Sequence, residues 1–174
     1  KNLKCNFVEV DNDCELLGAN SPLELINLAN KHPRVNILQP SCGVGGHCIA
    51  VDPWFIVSKT PNKSKLMKTA RNVNDAKPKW VIDKIKTEIE EFLYANASFT
   101  LSDLKIACYG LAFKQNIDDL RESPAMNVVK SILEIKDVSV MAVEPNITLL
   151  PEEMGRLKLV NYETASANAH IHIM

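Results

Sequence analysis

The residues from Leu104 onward constrain the fold most, because short apolar runs alternate there with amphipathic segments. Lys105–Tyr109 is predicted to be a strand that ends at Gly110, and Val138–Val143 a second strand. Between them, Ser123-Pro124 opens a segment with apolar residues at helical spacing. Strands separated by helices form right-handed βαβ units on a parallel sheet. We therefore expect an α/β fold.

The same alternation continues to the end of the chain. Leu157–Val160 is predicted as a third strand, Tyr162–Asn168 as a short helix, and His170–Met174 as the start of another strand. Because the chain stops within this pattern, we expect the C-terminal α/β domain, residues 100–174, to be incomplete. His170 and His172 alternate as on one face of a strand, and without a third ligand nearby a metal site is disfavoured.

The first part of the chain, residues 1–99, is predicted to be a helical domain. Ser21-Pro22 opens a helix that should end near Lys31, because Pro33 disfavours helix at the residue before it. Two more helices are expected, Ser64–Ala76 and a second ending near Ala95, separated at Lys77-Pro78 because proline disrupts a helix interior.

Composition excludes several classes of function. The 20 Lys and Arg residues are balanced by 21 Asp and Glu residues, which argues against a nucleic-acid partner. No apolar run is long enough to span a bilayer, and Lys1 begins a segment unlike a signal peptide. The cysteines are odd in number and form no close pair, so we expect reduced thiols in the cytoplasm and no zinc site. They are Cys5, Cys14, Cys42, Cys48 and Cys108.

The strongest candidate site lies in the turn-rich, non-helical segment Val35–Pro53. It contains three glycines in four positions, followed by His47 and Cys48. Such glycines let the backbone approach a ligand and expose its N–H groups. Two interpretations are open from these residues alone: a nucleophilic cysteine beside an oxyanion site, or a tight turn followed by an inert cysteine. A Cys48–His47 dyad is disfavoured, because neighbours in an extended segment point to opposite sides.

Four segments of the chain resemble one known protein family in their residues and not only in their spacing. The sequence P-S-C-G-V-G-G-H-C-I-A-V-D-P-W-F at residues 40–55 resembles the nucleophile segment of the UDP-glucose/GDP-mannose dehydrogenase family. G-L-A-F-K at residues 110–114 and D-D-L-R-E-S-P at 118–124 resemble the signature that opens the family's UDP-binding domain. L-A-N-K-H-P-R-V at residues 28–35 is also similar to the family. The similarity is greatest to the bacterial branch that acts on UDP-N-acetyl-D-mannosamine.

The resemblance implies an architecture and an activity. Residues 1–99 would form the helical central dimerisation region, and residues 100–174 a truncated Rossmann-like UDP-binding domain. The protein would be an NAD-dependent cytoplasmic enzyme of polysaccharide biosynthesis, acting as a homodimer on a UDP-sugar. It would oxidise the 6-hydroxyl of the sugar to a uronic acid through a cysteine thiohemiacetal and a thioester.

The resemblance also implies roles for individual residues. Cys48 would be the nucleophile, Asp52 would order the hydrolytic water or the lysine, and Lys1 would be the family's catalytic lysine. Cys5 stands where the family has an asparagine. Arg121 would contact NAD. The expected contacts to the UDP-sugar are His32, Arg34, Gly43, Gly45, Phe113 and Lys114.

Other functions remain open. The chain contains no G-x-G-x-x-G segment, so we expect it to show no NAD-dependent turnover by itself. One alternative is a UDP-sugar-binding and dimerisation module that cannot oxidise its ligand. A second is a member of the related UDP-glucose branch, and a third is a remnant without function.

Overall fold

The computed structural model describes residues 22–174, which fall into two compact units divided after Pro40. The first unit contains helix α1 (Pro22–Ala29), followed by a turn and a segment without regular secondary structure. The Asn30 side chain fastens this segment: the Ile37 N–H donates to Oδ1 at 2.6 Å, and Nδ2 donates to the Ile37 carbonyl at 2.8 Å. The predicted helix at Pro22 is confirmed; its proposed cap, Ser21, lies outside the described residues.

The second unit is a parallel sheet with helices packed against it. Its strands lie in the order β3-β2-β1-β4, and every pairing is parallel. The α/β prediction is therefore confirmed. The elements are α2 (Asp52–Lys59), α3 (Lys65–Ala95), β1 (Lys105–Tyr109), α4 (Pro124–Leu133), β2 (Ser139–Val143), β3 (Lys158–Leu159), α5 (Tyr162–Asn168) and β4 (Ile171–Ile173), with short 3₁₀ turns at Leu101–Asp103 and Glu152–Met154.

Strand β1 lies at the centre of the sheet, between β2 and β4, and carries the core. Ile106 and Ala107 are fully buried there, and α4 adds Ile132 from its apolar face. Helix α4 begins where predicted, because the Ser123 hydroxyl accepts a hydrogen bond from the Met126 N–H at 3.4 Å. The same hydroxyl donates to the Leu111 carbonyl at 2.7 Å, which ties the start of the helix to the loop after β1.

The predicted helix break at Lys77-Pro78 is wrong. Helix α3 continues through Pro78, which is buried within it. A proline removes one backbone hydrogen bond and crowds the preceding turn. Packing offsets that cost, because Arg71 is buried before the proline, and Ile85 and Ile89 are buried after it. Contacts on both sides of Pro78 thus hold one helix where local propensity predicts two.

The predicted loop also ends earlier than expected. Helix α2 begins at Asp52 with Pro53 in its first turn, whereas the whole of Val35–Pro53 is predicted to be non-helical. Proline fits the first turn of a helix because its missing N–H has no partner there.

The two C-terminal histidines stabilise the sheet edge. His170 precedes β4, stacks on Phe92, and accepts a hydrogen bond from the Lys105 N–H at 3.1 Å. His172, within β4, lies 2.9 Å from the Tyr109 hydroxyl through Nδ1. Within residues 22–174, no cluster of histidine, cysteine and carboxylate side chains could hold a metal ion. In the same range, no helix is long and apolar enough to cross a bilayer.

The core packing predicts a large loss of stability on truncating Ile132. Ile132→Ala removes a fully buried side chain and leaves a cavity, so the free energy of unfolding should fall by about 2–5 kcal/mol. Leu149→Ala is the matched control, since Leu149 is 84% exposed and should change little. Urea unfolding followed by circular dichroism measures both, and equal losses would contradict the assignment of the core.

Candidate functional site

Cys48 lies in a turn that leads directly into helix α2. Its side chain is exposed, and its carbonyl accepts hydrogen bonds from the N–H groups of Val51 at 3.0 Å and Asp52 at 2.8 Å. The bond from Asp52 has the four-residue spacing of an α-helix. Cys48 and Asp52 are thus one helical turn apart, and side chains at this spacing lie on the same face. A thiol and a carboxylate are therefore presented to solvent together.

Two glycines before Cys48 are required by close packing. A Cβ at Gly45 would collide with the Glu122 carbonyl oxygen, and one at Gly46 would lie 2.8 Å from the Phe113 ring. Gly46 has a φ of 93° and donates its N–H to that Glu122 carbonyl at 3.3 Å. Residues 43–48, called the glycine turn from here on, are thus packed against the segment between β1 and α4, which contains Phe113.

His47 is held by the same segment. Its ring meets Phe113 edge-on, and its Nδ1 lies 3.8 Å from an Asp119 carboxylate oxygen and 3.5 Å from an Arg121 guanidinium nitrogen. The reason for disfavouring a Cys48–His47 dyad was wrong, because residues 47–51 form a turn and not an extended segment. Among the described residues, the polar contacts of His47 nonetheless go to Asp119 and Arg121.

Asp119 and Arg121 form a paired charge next to the turn. Arg121 Nε and Nη2 both donate to the carboxylate, at distances of 2.6 to 3.1 Å, and the Arg121 N–H donates at 2.9 Å. These hydrogen bonds lower the pKa of Asp119 to about 2. The same side-chain bond raises the pKa of Arg121, with a smaller contribution from Cys48. Arg121 therefore carries a positive charge paired with Asp119, and it contacts His47, the residue before Cys48.

Two residues of helix α3, Arg71 and Asn74, also contact the turn, and Asp75 holds Arg71 in place; sequence reasoning missed all three. Asn74 hydrogen-bonds both backbone groups of Val44, Arg71 donates to the Val44 carbonyl, and Asp75 pairs with Arg71 at 2.6 Å. A signal was present, since polar residues 71, 74 and 75 recur with Pro78 at the spacing of a buried helix face. Between α2, α3 and the turn lies a cavity of about 520 Å³.

A second cavity, of about 290 Å³, lies at the carboxyl ends of β1 and β2. Lys114 lines it together with Gly110 and Glu144. Glu144 is buried and accepts hydrogen bonds from the N–H groups of Leu111 at 2.8 Å and Ala112 at 3.1 Å. This carboxylate, also missed from the sequence, thereby occupies the amides of the loop after β1.

The predicted site residues are distributed over three places. The first place is the glycine turn, the start of α2 that follows it and the segment packed on it, with Cys48, Asp52, Gly43, Gly45, Phe113 and Arg121. Lys114 lines the second cavity. His32 and Arg34 lie in the first unit; both are exposed, and His32 Nδ1 accepts a hydrogen bond from the Arg34 N–H at 3.2 Å. Lys1 is outside the described residues. The role of each residue stays a prediction.

Two models of one family match most of this chain. The model for the central domain of the UDP-glucose/GDP-mannose dehydrogenase family matches residues 4–76, and that for its UDP-binding domain matches residues 107–174. Together they cover the glycine turn and the sheet. The division at residues 99 and 100 lies between the two matches and stays a prediction.

Individual relatives point to the same family. The chain is 54% identical over 152 residues to a UDP-N-acetyl-D-mannosamine dehydrogenase of Salmonella typhi, covering 87% of this chain and 36% of that protein. It is 48% identical over 161 residues to an NDP-N-acetyl-D-galactosaminuronic acid dehydrogenase of Ralstonia solanacearum, covering 92% and 36%. The chain thus spans a little over a third of these relatives.

A solved structure supports the fold. The UDP-N-acetyl-mannosamine dehydrogenase Cap5O of Staphylococcus aureus is 42% identical and superposes with a TM-score of 0.55, over 73% of this chain and 28% of that one.

The close approach of the glycine turn predicts that Gly45 does not tolerate a side chain. In Gly45→Ala the new Cβ collides with backbone, so the turn must move and the free energy of unfolding should fall by about 1–3 kcal/mol. Gly155→Ala is the control, because its Cβ would meet its nearest atom at an ordinary 3.5 Å. Thermal unfolding compares the two variants, and equal stability would contradict the packing of the turn.

The cysteines should differ sharply in reactivity. Burial raises the pKa of Cys108 to about 12 and also raises that of the half-buried Cys42, whereas Cys48 is exposed. Only thiolates are alkylated, so iodoacetamide at about pH 8 should label Cys48 well before Cys108. Peptide mass spectrometry after brief exposure gives the order. Earlier labelling of Cys108 in the folded chain would overturn the assignment of Cys48 as the accessible nucleophile.

Proposed function

Because the chain belongs to the UDP-glucose/GDP-mannose dehydrogenase family, we propose that it is the nucleophile-bearing and UDP-binding part of a UDP-N-acetyl-D-mannosamine dehydrogenase. The observation that carries the proposal is the placement of Cys48, exposed, one helical turn from Asp52 and next to His47, which contacts Arg121. This arrangement supports a nucleophilic cysteine over an inert one, because structural cysteines are buried and lack charged neighbours. The 54% identity to the Salmonella typhi enzyme supports the substrate.

The proposed chemistry uses Cys48 and Asp52 in turn. The Cys48 sulfur adds to the carbonyl carbon of the sugar aldehyde and forms a thiohemiacetal, whose oxidation leaves a thioester. Water then attacks the thioester carbon, the carbon–sulfur bond breaks, and the uronic acid is released. Asp52, one helical turn from the sulfur, accepts a proton from that water. Lys1 would assist as the family's lysine.

The described residues fit NAD at one point only. The exposed guanidinium of Arg121 beside Cys48 suits a phosphate or ribose contact. The loop after β1, where doubly wound sheets cradle a pyrophosphate, does not fit, because Glu144 already occupies its amides. When bound, NAD supplies the hydride acceptor for both oxidations. We infer that this chain holds NAD through Arg121.

The UDP-sugar is proposed to contact the carboxyl edge of the sheet. Ligands of parallel sheets bind outside the carboxyl ends of the strands, and Lys114 is placed there to neutralise a diphosphate. Phe113, beside Gly46, supports a contact with the sugar close to Cys48. Gly43 and Gly45 complete the proposed contacts of this unit by family resemblance. His32 and Arg34, in the first unit, are proposed to contact the UDP-sugar by family resemblance alone.

We further propose a homodimer. On α3, exposed apolar side chains recur every seven residues at Leu66, Val73 and Trp80, which is the spacing of one helix face. Side chains that are 84%, 68% and 54% exposed support a protein partner along this face. The free thiols of Cys42, Cys48 and Cys108 support the cytoplasm as the compartment. A role in polysaccharide precursor synthesis is proposed from the family resemblance alone.

A binding module without oxidation is the second candidate function. The occupied amides of the β1 loop favour it, because they leave UDP contacts intact while denying NAD a cradle on this sheet. Among substrates, the 48% identity to the Ralstonia solanacearum dehydrogenase keeps a related N-acetylated sugar as the alternative.

Calorimetry with UDP and with NAD tests the binding half of this proposal. UDP should bind more tightly than NAD. Lys114→Ala and Arg34→Ala should each weaken UDP binding by about 1–3 kcal/mol, the usual loss for a charged hydrogen bond. Cys48→Ser should leave UDP affinity nearly unchanged, because the sulfur acts on the sugar carbon and not on the diphosphate.

Lys136→Ala provides the matched control. Lys136 is exposed and precedes β2, at the opposite edge of the sheet from Lys114. If Lys136→Ala and Lys114→Ala weakened UDP binding equally, the effect would come from the net charge of the chain, and the proposed contact of Lys114 would be wrong. A folded chain with no preference for UDP over NAD would refute the proposal.

A further inference from the structure

We propose that Asn74 is a positioning residue that holds Cys48 beside Arg121, an inference that rests on the proposed role of Cys48 as nucleophile. The Val44 N–H donates to Asn74 Oδ1 at 2.7 Å, and Asn74 Nδ2 donates to the Val44 carbonyl at 3.0 Å. The side-chain amide therefore pairs with both backbone groups of one residue, as a neighbouring strand would. This fixes the entry of the glycine turn to helix α3.

Asn74 is suited to this contact by chemistry as well as by position. A carboxamide carries an acceptor and donors on one planar group, so it satisfies a backbone N–H and a backbone carbonyl together. Aspartate accepts only, and aliphatic side chains do neither. Arg71 reinforces the contact by donating from Nη1 to the Val44 carbonyl at 3.3 Å.

Arg71 is itself held firmly. It is 8% exposed, its Nη2 pairs with Asp75 at 2.6 Å, and its Nε is buried without a hydrogen-bond partner among the described residues. An arginine buried with one unsatisfied group costs free energy. This unfavourable burial occurs at the side chain that contacts the turn carrying Cys48. Unfavourable local features that persist in a structure are concentrated at functional sites.

From Val44 to Cys48 the chain has little freedom. Gly46 donates its N–H to the Glu122 carbonyl, and its own carbonyl accepts from the Ala50 N–H at 3.3 Å. Cys48 thus follows two points at which the turn is anchored. Val44 is hydrogen-bonded to Asn74 of α3, and Gly46 is hydrogen-bonded to Glu122, the residue after Arg121. Releasing the first anchor allows the turn to pivot on the second, which moves the sulfur relative to the Arg121 guanidinium.

Paired alkylating reagents measure that separation directly. Iodoacetate is an anion and iodoacetamide is neutral, while both react with the same thiolate. The ratio of their rate constants at Cys48 therefore reports the electrostatic potential at the sulfur, to which Arg121 adds a positive and Asp119 a negative contribution, and not the fraction of thiolate. In Asn74→Ala, at about 0.01 M ionic strength, we expect this ratio to fall about two- to fivefold, and the difference to shrink in high salt.

Two further variants make the test specific. Asn72→Ala is the matched control, because Asn72 lies on the same helix and is exposed. Arg121→Gln should lower the ratio by removing the charge. In the double variant, Asn74→Ala should then have no additional effect, since Asn74 acts through the distance to Arg121.

Buried Cys108 serves as the internal control for folding. A merely structural role for Asn74 would raise Cys108 labelling, whereas a positioning role changes the ratio at Cys48 alone. If Asn74→Ala exposes Cys108, the variant Asn74→Ser is used instead. Serine keeps a polar side chain that is too short to bond both backbone groups of Val44. An unchanged ratio in a folded Asn74 variant overturns the inference. Failure of UDP to bind would refute the proposed function but leave this ratio unaffected.

Discussion

The contact between Gly45 and the Glu122 carbonyl oxygen is the constraint on which the site depends. There is no room for a Cβ at Gly45, and the next residue donates its N–H to the same carbonyl. The backbone of the glycine turn and that of the segment between β1 and α4 are thereby brought within van der Waals distance. Because of this contact, His47, the residue before the cysteine, meets Arg121 from the segment after β1.

The loop after β1 contacts both the glycine turn and the cavity at the carboxyl ends of the strands, and Glu144 holds its backbone in place. Its carboxylate, buried at the end of β2, holds the first two amides of the loop. Beyond them, Phe113 packs on the glycine turn, while Lys114 lines the cavity at the carboxyl ends of the strands. One short segment therefore connects the proposed nucleophile with the proposed diphosphate contact. This carboxylate occupies backbone amides of the kind that otherwise bind a phosphate.

Local signals predicted the regular elements of the sheet well. The bounds of β1 and α5 agree with the prediction, and the Ser123-Pro124 start of α4 is confirmed by its cap. Apolar runs and capping residues act within a few positions of the chain, so a single sequence reveals them. The break predicted at Pro78 was wrong for the complementary reason. The burial of Ile85 and Ile89 that keeps α3 continuous comes from packing, which propensity does not include.

The amino-acid sequence by itself determined the family, the α/β class, and the residues that are candidates for chemistry, since all of these follow from motifs and periodicity along the chain. Only the tertiary structure decided which candidates meet. Asn74 reaches Val44 across 30 positions, and His47 contacts Arg121 across 74. Hydrogen bonds between such distant residues leave no local pattern in a single sequence, because their geometry exists only after the sheet and helices have packed.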